Sequence, residues 1–172
     1  FYNAGQSCCA VERIYVHHSH FDEFVEQAAQ FMDNLKIGDP MNASINMGPL
    51  AQKSGIKTVE NQLKDATDKG SKILTYPGSV PDGENYILPA ILINVNHQME
   101  IMMEETFGPI VGIMAVQSDE EAINLMNDSL YGLTASVWTN DVENAIEIGS
   151  RIETGTFFMN RCDYLDPALP WV

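Results

Sequence analysis

The chain has 172 residues and carries a formal net charge of −15 at pH 7. This acidity argues against a nucleic-acid partner and against an anionic membrane, because both attract surfaces rich in lysine and arginine. Its length and its 45% share of hydrophobic residues predict one globular domain with a substantial core.

The first ten residues, FYNAGQSCCA, carry the strongest chemical signal. A Gly-Gln turn precedes Cys8, which we predict to lie in the first turn of a short helix with Ser7 as its N-cap. The unpaired N–H groups and the positive dipole at such a helix start lower the pKa of a thiol and make it a nucleophile. They can also hold the oxyanion that forms when sulfur attacks a carbonyl group. The alternative is that Cys8 and Cys9 are two small apolar residues in a core.

A strand at Arg13–His17 and two helices are predicted next. The apolar residues of the first helix recur three and four positions apart, at Phe21, Phe24, Val25, Ala28, Ala29, Met32 and Leu35. Gly38-Asp39-Pro40 ends this helix. The second helix is predicted over Ala51–Lys69, with Gly70 in the position that follows a helix end.

The rest of the chain is predicted to alternate between strands and helices. Extended segments are expected at Ile73–Tyr76 and Tyr86–Val95, with one or two helical turns at Met99–Glu105. Three further strands are predicted, at Ile110–Val116, Ala135–Thr139 and Thr156–Met159. A capping box at Ser118–Glu121 opens a helix that runs to Asn127, and Asp141–Ile152 forms the last helix. Its inward face is predicted to carry Val142, Ala145, Ile146, Gly149 and Ile152. Short links between these elements predict an α/β domain with parallel strand pairing.

The cysteine and histidine residues give no sign of a disulfide framework or a metal site. Three cysteines, two of them adjacent, favour a reduced, cytoplasmic setting. His17, His18 and His20 are predicted to be surface residues, since neighbours on a strand end point to opposite faces. The longest apolar run, Ile110–Val116, is too short to cross a membrane. The chain opens within a motif and lacks an initiator methionine, so we expect a fragment of a longer protein.

Four motifs resemble landmarks of the aldehyde dehydrogenase superfamily. The first is Phe-x-Asn-x-Gly-Gln-x-Cys at Phe1–Cys8, followed by Arg-Ile-x-Val from Arg13. The others are Glu104–Pro109, Tyr131–Ala135 and Gly155–Asn160, in the family's order and at family-like separations. This resemblance implies that residues 1–172 are the cysteine-bearing catalytic domain, a three-layer α/β domain with a mostly parallel sheet, truncated at both ends.

The resemblance also implies roles for individual residues. Cys8 matches the catalytic nucleophile, Glu105 the residue that holds the nicotinamide ribose, and Phe107 the residue beside the nicotinamide ring. The residues expected around the aldehyde are Tyr2, Cys9, Asn160 and Trp171. Read without the resemblance, Glu105 is an acidic residue on a helix surface and Phe107 an aromatic residue in the core. Trp171 is then a core or interface residue.

The implied activity is NAD- or NADP-dependent oxidation of an aldehyde to a carboxylic acid, through a thiohemiacetal and a thioester at Cys8. The family's dinucleotide-binding domain and general base lie upstream of the cysteine motif, so they are expected to be missing and the chain alone to be inactive. The parent enzyme is expected to be a homo-oligomer. A CoA-acylating relative, a cysteine-dependent esterase or hydrolase, and a non-catalytic, self-associating module remain as alternatives.

Overall fold

The computed structural model describes residues 1–83, 85–162 and 168. The chain divides into two compact units, Phe1–Ala115 and Val116–Val172. Helices and strands occur in both units and alternate in the second. Two of the three strand pairings described below are parallel. The predicted mixed α/β fold with mostly parallel pairing is therefore confirmed.

The first unit is built on a four-stranded sheet in the order β1-β4-β3-β2. Its strands are β1 (Arg13–His17), β2 (Lys72–Thr75), β3 (Ala90–Ile93) and β4 (Ile110–Val116). The central pair β3 and β4 is parallel, with Ala90 opposite Ile110. At the edge, β2 pairs antiparallel with β3.

Both faces of this sheet are covered by helices, α1 (Phe21–Asp33) and α2 (Lys53–Asp68). Ile91 of β3 belongs to the same buried cluster as Met32 of α1. The next residue, Leu92, belongs to the other cluster, with Val59 of α2. Because successive strand residues point to opposite faces, a strand covered on both sides is apolar throughout. The first unit therefore has three layers.

The end of α2 follows the sequence prediction and ties this helix to the segment before the second motif. Gly70 has φ 94°, its N–H donates to Thr67, and the N–H of Ser71 donates to Ala66, which is a Schellman cap. Asp65 accepts a hydrogen bond from the backbone N–H of Glu100 at 2.8 Å. That bond fixes the short 3₁₀ helix Glu100–Met102 against α2.

The second unit contains α3 (Asp119–Asn127), β5 (Thr134–Val137), α4 (Val142–Arg151) and β6 (Thr156–Met159). Strands β5 and β6 pair in parallel, with Thr134 opposite Thr156. The predicted cap of α3 is confirmed, because Ser118 Oγ accepts from the N–H of Glu121 at 3.2 Å. The Glu121 carboxylate reaches back to the N–H of Gln117 at 2.7 Å, one residue earlier than the usual capping box.

The helix predicted at Cys8 is absent. Ser7–Ala10 is a single turn in which the N–H of Ala10 donates to the carbonyl of Ser7 at 3.0 Å. Ser7 Oγ lies 3.2 Å from Cys9 Sγ and so does not act as an N-cap. Strand β1 begins at Arg13, which leaves no room for a second turn. Because there is no helix at Cys8, a helix dipole cannot activate its thiol.

The predicted inward face of α4 is partly wrong. Ala145 is buried as expected, but Val142 is 56% exposed and Ile146 is 67% exposed, whereas Ile148 is buried. A Cβ on Gly149 would lie 2.6 Å from Cδ1 of Phe157 in β6. The aromatic ring thus packs directly on the helix backbone, and this contact rotates the buried face toward Ile148.

The later strands belong to two sheets, and the pairing of β5 with β6 is parallel, as predicted. β4 lies between β1 and β3, whereas β5 pairs with β6 in a separate two-stranded sheet of the described chain. Of the predicted extended segment 86–95, only β3 is a strand, and it starts directly after Pro89. None of the described helices has the length and apolarity needed to cross a membrane.

Candidate active site

The loop that leads to Cys8 has an unusual backbone. Asn3, Ala4 and Gly5 have φ values of 50°, 55° and 75°. Such a conformation costs a non-glycine residue about 1–2 kcal/mol. Reciprocal hydrogen bonds offset this cost: Asn3 Nδ2 donates to the Gln6 carbonyl at 2.9 Å, and Gln6 Nε2 donates to the Asn3 carbonyl at 3.0 Å.

Gln6 also fixes this loop to the segment before α2. Its Oε1 accepts from the backbone N–H of Ala51 at 2.7 Å, and its Nε2 donates to the Pro49 carbonyl at 3.3 Å. The Gln6 side chain therefore stabilises the loop before Cys8 internally and also joins it to the segment before α2.

Gly5 meets the second motif backbone to backbone. A Cβ on Gly5 would lie 2.1 Å from the carbonyl oxygen of Gly108, far inside van der Waals contact. Gly108 in turn packs on α2, where a Cβ would lie 2.4 Å from Cγ2 of Val59. The two glycines therefore bring together two motifs that are about a hundred residues apart in the chain.

The two adjacent cysteines differ in their surroundings. Cys8 is exposed, whereas Cys9 is half-buried with its Sγ 3.2 Å from Ser7 Oγ. The backbone N–H of Cys8 donates no hydrogen bond to any residue that the structure describes. An oxygen next to Cys8 Sγ could therefore use this N–H as a donor.

The segment Glu105–Phe107 presents two side chains and buries the one between them. Thr106 is buried, and its Oγ1 donates to Gln62 Oε1 of α2 at 2.7 Å. Phe107 has φ 51° and is 43% exposed. The Glu105 carboxylate is exposed and accepts no hydrogen bond from the described part of the chain. These two side chains are therefore available to a ligand.

Glu12 holds the backbone of this segment. Its Oε2 accepts from the N–H of Thr106 at 2.9 Å, and its Oε1 accepts from the N–H of Phe107 at 3.2 Å. Burial raises the pKa of Glu12, and the two backbone hydrogen bonds oppose that rise only in part. Because its folded-state pKa is raised, stability from this group is full below the ordinary value and falls as the pH rises through the raised value.

A cleft of about 620 Å³ lies in the first unit, beside both loops. It is lined by Tyr2 and Gln6 of the cysteine loop, by Phe107, and by the segment from Ile45 to Ala51. Tyr2 and Phe107, assigned above to the aldehyde and to the nicotinamide, thus face one cavity.

Two predicted site residues remain, Asn160 and Trp171. Asn160 is in the second unit, where its Oδ1 accepts from the N–H of Thr139 and its Nδ2 donates to the Thr139 carbonyl, both at 3.0 Å. Its amide therefore extends the β5–β6 pairing. Trp171 lies outside the described residues. Within those residues, no group of three or more His, Cys, Asp or Glu side chains has a metal-binding arrangement.

Comparison with known proteins identifies the family. The family model "Aldehyde dehydrogenase family" matches residues 1–171. This chain belongs to the aldehyde dehydrogenase family.

Two curated aldehyde dehydrogenases illustrate the relationship. An aldehyde dehydrogenase of Paenarthrobacter nicotinovorans is 41% identical over 170 residues, which is 98% of this chain and 37% of the relative. The 3-sulfolactaldehyde dehydrogenase of Priestia aryabhattai is 39% identical over 160 residues, 93% of this chain and 33% of the relative. The chain thus spans about a third of these relatives.

The fold agrees with solved aldehyde dehydrogenases. Betaine aldehyde dehydrogenase from Staphylococcus aureus, in complex with NAD⁺, superimposes with a TM-score of 0.91 at 30% identity. The match covers 98% of this chain and 34% of that one.

Sequence reasoning missed the residues that hold the aldehyde dehydrogenase motifs in place. Glu12 and Gln62 lie outside every motif, and each makes its contact across a long stretch of chain. Glu12 left one usable signal, a lone carboxylate between Val11 and the strand that begins at Arg13. Gln62 left none, since a glutamine in an amphipathic helix is unremarkable.

The contact at Gly5 generates a stability prediction. Gly5→Ala adds a Cβ that overlaps the Gly108 carbonyl oxygen, and it also places alanine at φ 75°. Gly70→Ala is the matched control, since it has φ 94° and nothing within 4 Å of the added Cβ. We expect Gly70→Ala to cost about 1–2 kcal/mol from the backbone alone and Gly5→Ala clearly more. Thermal unfolding of both full-length variants checks this, and equal melting temperatures would contradict the contact.

Proposed function

We propose that residues 1–172 are the cysteine-bearing catalytic domain of an enzyme that oxidises an aldehyde to a carboxylic acid with NAD or NADP. The observation that carries this proposal is the backbone contact between Gly5 and Gly108. It brings the loop with the exposed Cys8 to the loop that presents Glu105 and Phe107. A nucleophile and a potential cofactor contact therefore share one edge of the first unit.

Cys8 is the nucleophile in this mechanism. Its thiolate sulfur attacks the aldehyde carbon, a C–S bond forms, and the carbonyl electron pair moves to oxygen to give a thiohemiacetal. Exposure at the surface of a turn gives Cys8 the access that Cys9, half-buried against Ser7, lacks. The Cys8 N–H, without an acceptor in the described chain, can donate to the developing oxyanion.

Glu105 and Phe107 suit a nicotinamide nucleoside. An exposed carboxylate that accepts no hydrogen bond in the described structure can accept two from ribose hydroxyls. Phe107 offers an exposed aromatic face in the same cleft as Tyr2. When bound, the dinucleotide supplies the acceptor for the hydride that leaves the substrate carbon. The NAD⁺ complex of the Staphylococcus aureus enzyme supports this choice of cofactor.

Hydrolysis of the Cys8 thioester by water then releases the carboxylic acid and regenerates the thiol. We assign activation of that water, and most of the dinucleotide contact, to parts of the enzyme outside this chain. The isolated chain is accordingly expected to be inactive. If CoA takes the place of water, the same domain serves an acylating dehydrogenase, and Cys8 keeps its role.

A simple thiol hydrolase fits the structure less well. Such an enzyme needs a histidine beside the nucleophile. His97 is the one histidine outside the 17–20 cluster, and its Nε2 lies 2.7 Å from the Tyr15 hydroxyl. His17 Nδ1 is hydrogen-bonded to Ser19 Oγ at 2.8 Å.

The two cysteines provide a direct test in the full-length enzyme. We expect Cys8→Ser to lower kcat for aldehyde oxidation by at least about a thousandfold, because a hydroxyl is far less ionised than a thiol at neutral pH. Cys9→Ser, the matched control, keeps a small polar group beside Ser7 and should change kcat by less than about tenfold. Steady-state NAD(P)H formation measures both. Full activity in Cys8→Ser would remove the nucleophile from the proposal.

Glu105 is tested with its exposed neighbour as the control. Glu105→Gln loses a charge-assisted hydrogen bond to the ribose, worth about 1.5–3 kcal/mol, and should cost roughly ten- to a hundredfold in kcat/KM for the dinucleotide. Ester hydrolysis by Cys8, which needs no hydride transfer, should change much less. Glu104→Gln should leave both activities near the wild-type values. Parallel losses of both activities in Glu105→Gln would instead mean that Glu105 supports the fold around Cys8.

A further inference from the structure

Glu12 is a half-buried carboxylate whose two oxygens are both used within the first unit. They accept from two consecutive backbone N–H groups, at 2.9 Å from Thr106 and 3.2 Å from Phe107. A carboxylate that bridges consecutive N–H groups fixes the orientation of the peptide between them. Glu12 lies four residues after Cys8 and directly before β1. It therefore links the start of the sheet to the Glu105–Phe107 segment.

The segment that Glu12 holds would not keep its shape without support. Phe107 has φ 51°, a conformation that a bulky residue seldom adopts unless its surroundings impose it. Gln62 secures the side chain of Thr106 from α2, but it leaves both N–H groups to Glu12. Gln62 Nε2 also donates to the Glu105 carbonyl at 3.5 Å, so the specific share of Glu12 is the two N–H groups of Thr106 and Phe107.

This arrangement is costly for the fold. Burial raises the pKa of Glu12, and the neighbouring charge of Glu105 adds to the rise. Burial of the charged carboxylate therefore opposes the gain from its two backbone hydrogen bonds. The contribution of Glu12 is the placement of the Glu105 and Phe107 side chains.

We propose that Glu12 is a positioning residue that orients Glu105 and Phe107 toward the cofactor of the proposed dehydrogenase. This inference rests on the proposed function. Glu12 does not touch the reacting atoms, because both of its oxygens are occupied by backbone donors. Its effect on the reaction passes through the Thr106 and Phe107 peptides.

The test uses the full-length enzyme with two variants of Glu12. Glu12→Gln keeps the size of the side chain but can accept only one of the two N–H groups, and its own NH₂ group faces the other. Glu12→Ala accepts neither. We expect kcat/KM for NAD(P)⁺ to fall roughly tenfold in Glu12→Gln and roughly a hundredfold in Glu12→Ala. Thiol-dependent ester hydrolysis should fall by less than about threefold, since Gln6 holds the loop before Cys8 through Ala51 and Pro49, away from the Glu105–Phe107 segment.

Glu60→Ala is the matched control. Glu60 is an exposed carboxylate on α2, two residues from Gln62, with no hydrogen bond in the described chain. It should leave both activities unchanged. Circular dichroism establishes that each variant is folded, and the isosteric Glu12→Gln carries the test if Glu12→Ala does not fold.

Hydrogen exchange of the peptide that spans Thr106 and Phe107 separates this inference from the proposed function. Faster exchange in the Glu12 variants together with a selective loss of dehydrogenase activity supports the proposal. Equal losses of dehydrogenase and esterase activity, or wild-type kinetics in a folded Glu12→Ala, would overturn it. If the wild-type enzyme oxidises no aldehyde, the proposed function fails, and unchanged exchange in the variants would overturn the role of Glu12 as well.

Discussion

The candidate active site depends on one close approach of backbone to backbone. Gly5 and Gly108 touch where any side chain on Gly5 would overlap a carbonyl oxygen. Everything proposed for the site follows from this contact, because it joins the loop that carries Cys8 to the loop that presents Glu105. The contact requires left-handed backbone at Asn3 and Ala4, which costs about 1–2 kcal/mol for each residue. The Asn3–Gln6 hydrogen bonds offset that cost. These two polar residues of the first motif therefore stabilise the loop conformation.

A similar arrangement recurs in the second unit, which holds the third and fourth motifs. The carbonyl of Gly132 accepts from the N–H of Gly155 at 2.7 Å and from Thr154 Oγ1 at 3.1 Å. A Cβ on Gly132 would lie 2.6 Å from the Glu153 carbonyl oxygen. In each unit, therefore, two motifs distant in sequence meet at a glycine. Glycine is needed at these positions because it lets two backbone segments approach more closely than any side chain would allow.

Local signals were sufficient where the structure is local. Ser118 caps α3 and Gly70 ends α2 as predicted, because each feature depends on residues within one turn. The predictions of local structure were wrong where contacts between residues distant in sequence determine the conformation. Ser7 reads as an N-cap, but Gln6 is bound to Ala51 and β1 starts at Arg13, so no helix forms at Cys8. Likewise Ile146 of α4 is exposed because the ring of Phe157 packs at Gly149. Glu12 escaped notice because its partners lie more than ninety residues away, and no local pattern marks them.

The central claim is that Cys8 forms the covalent link to the substrate. The most direct measurement is an acid quench of the full-length enzyme during steady-state turnover with an aldehyde and NAD(P)⁺, followed by peptide mass spectrometry. A thioester at Cys8 adds the mass of the acyl group to the peptide that contains both cysteines, and fragmentation between them assigns it. The account predicts the acyl group on Cys8, with Cys9 unmodified, and only when both aldehyde and dinucleotide are present. An acyl group on Cys9, or turnover with no acylated cysteine at all, would contradict it.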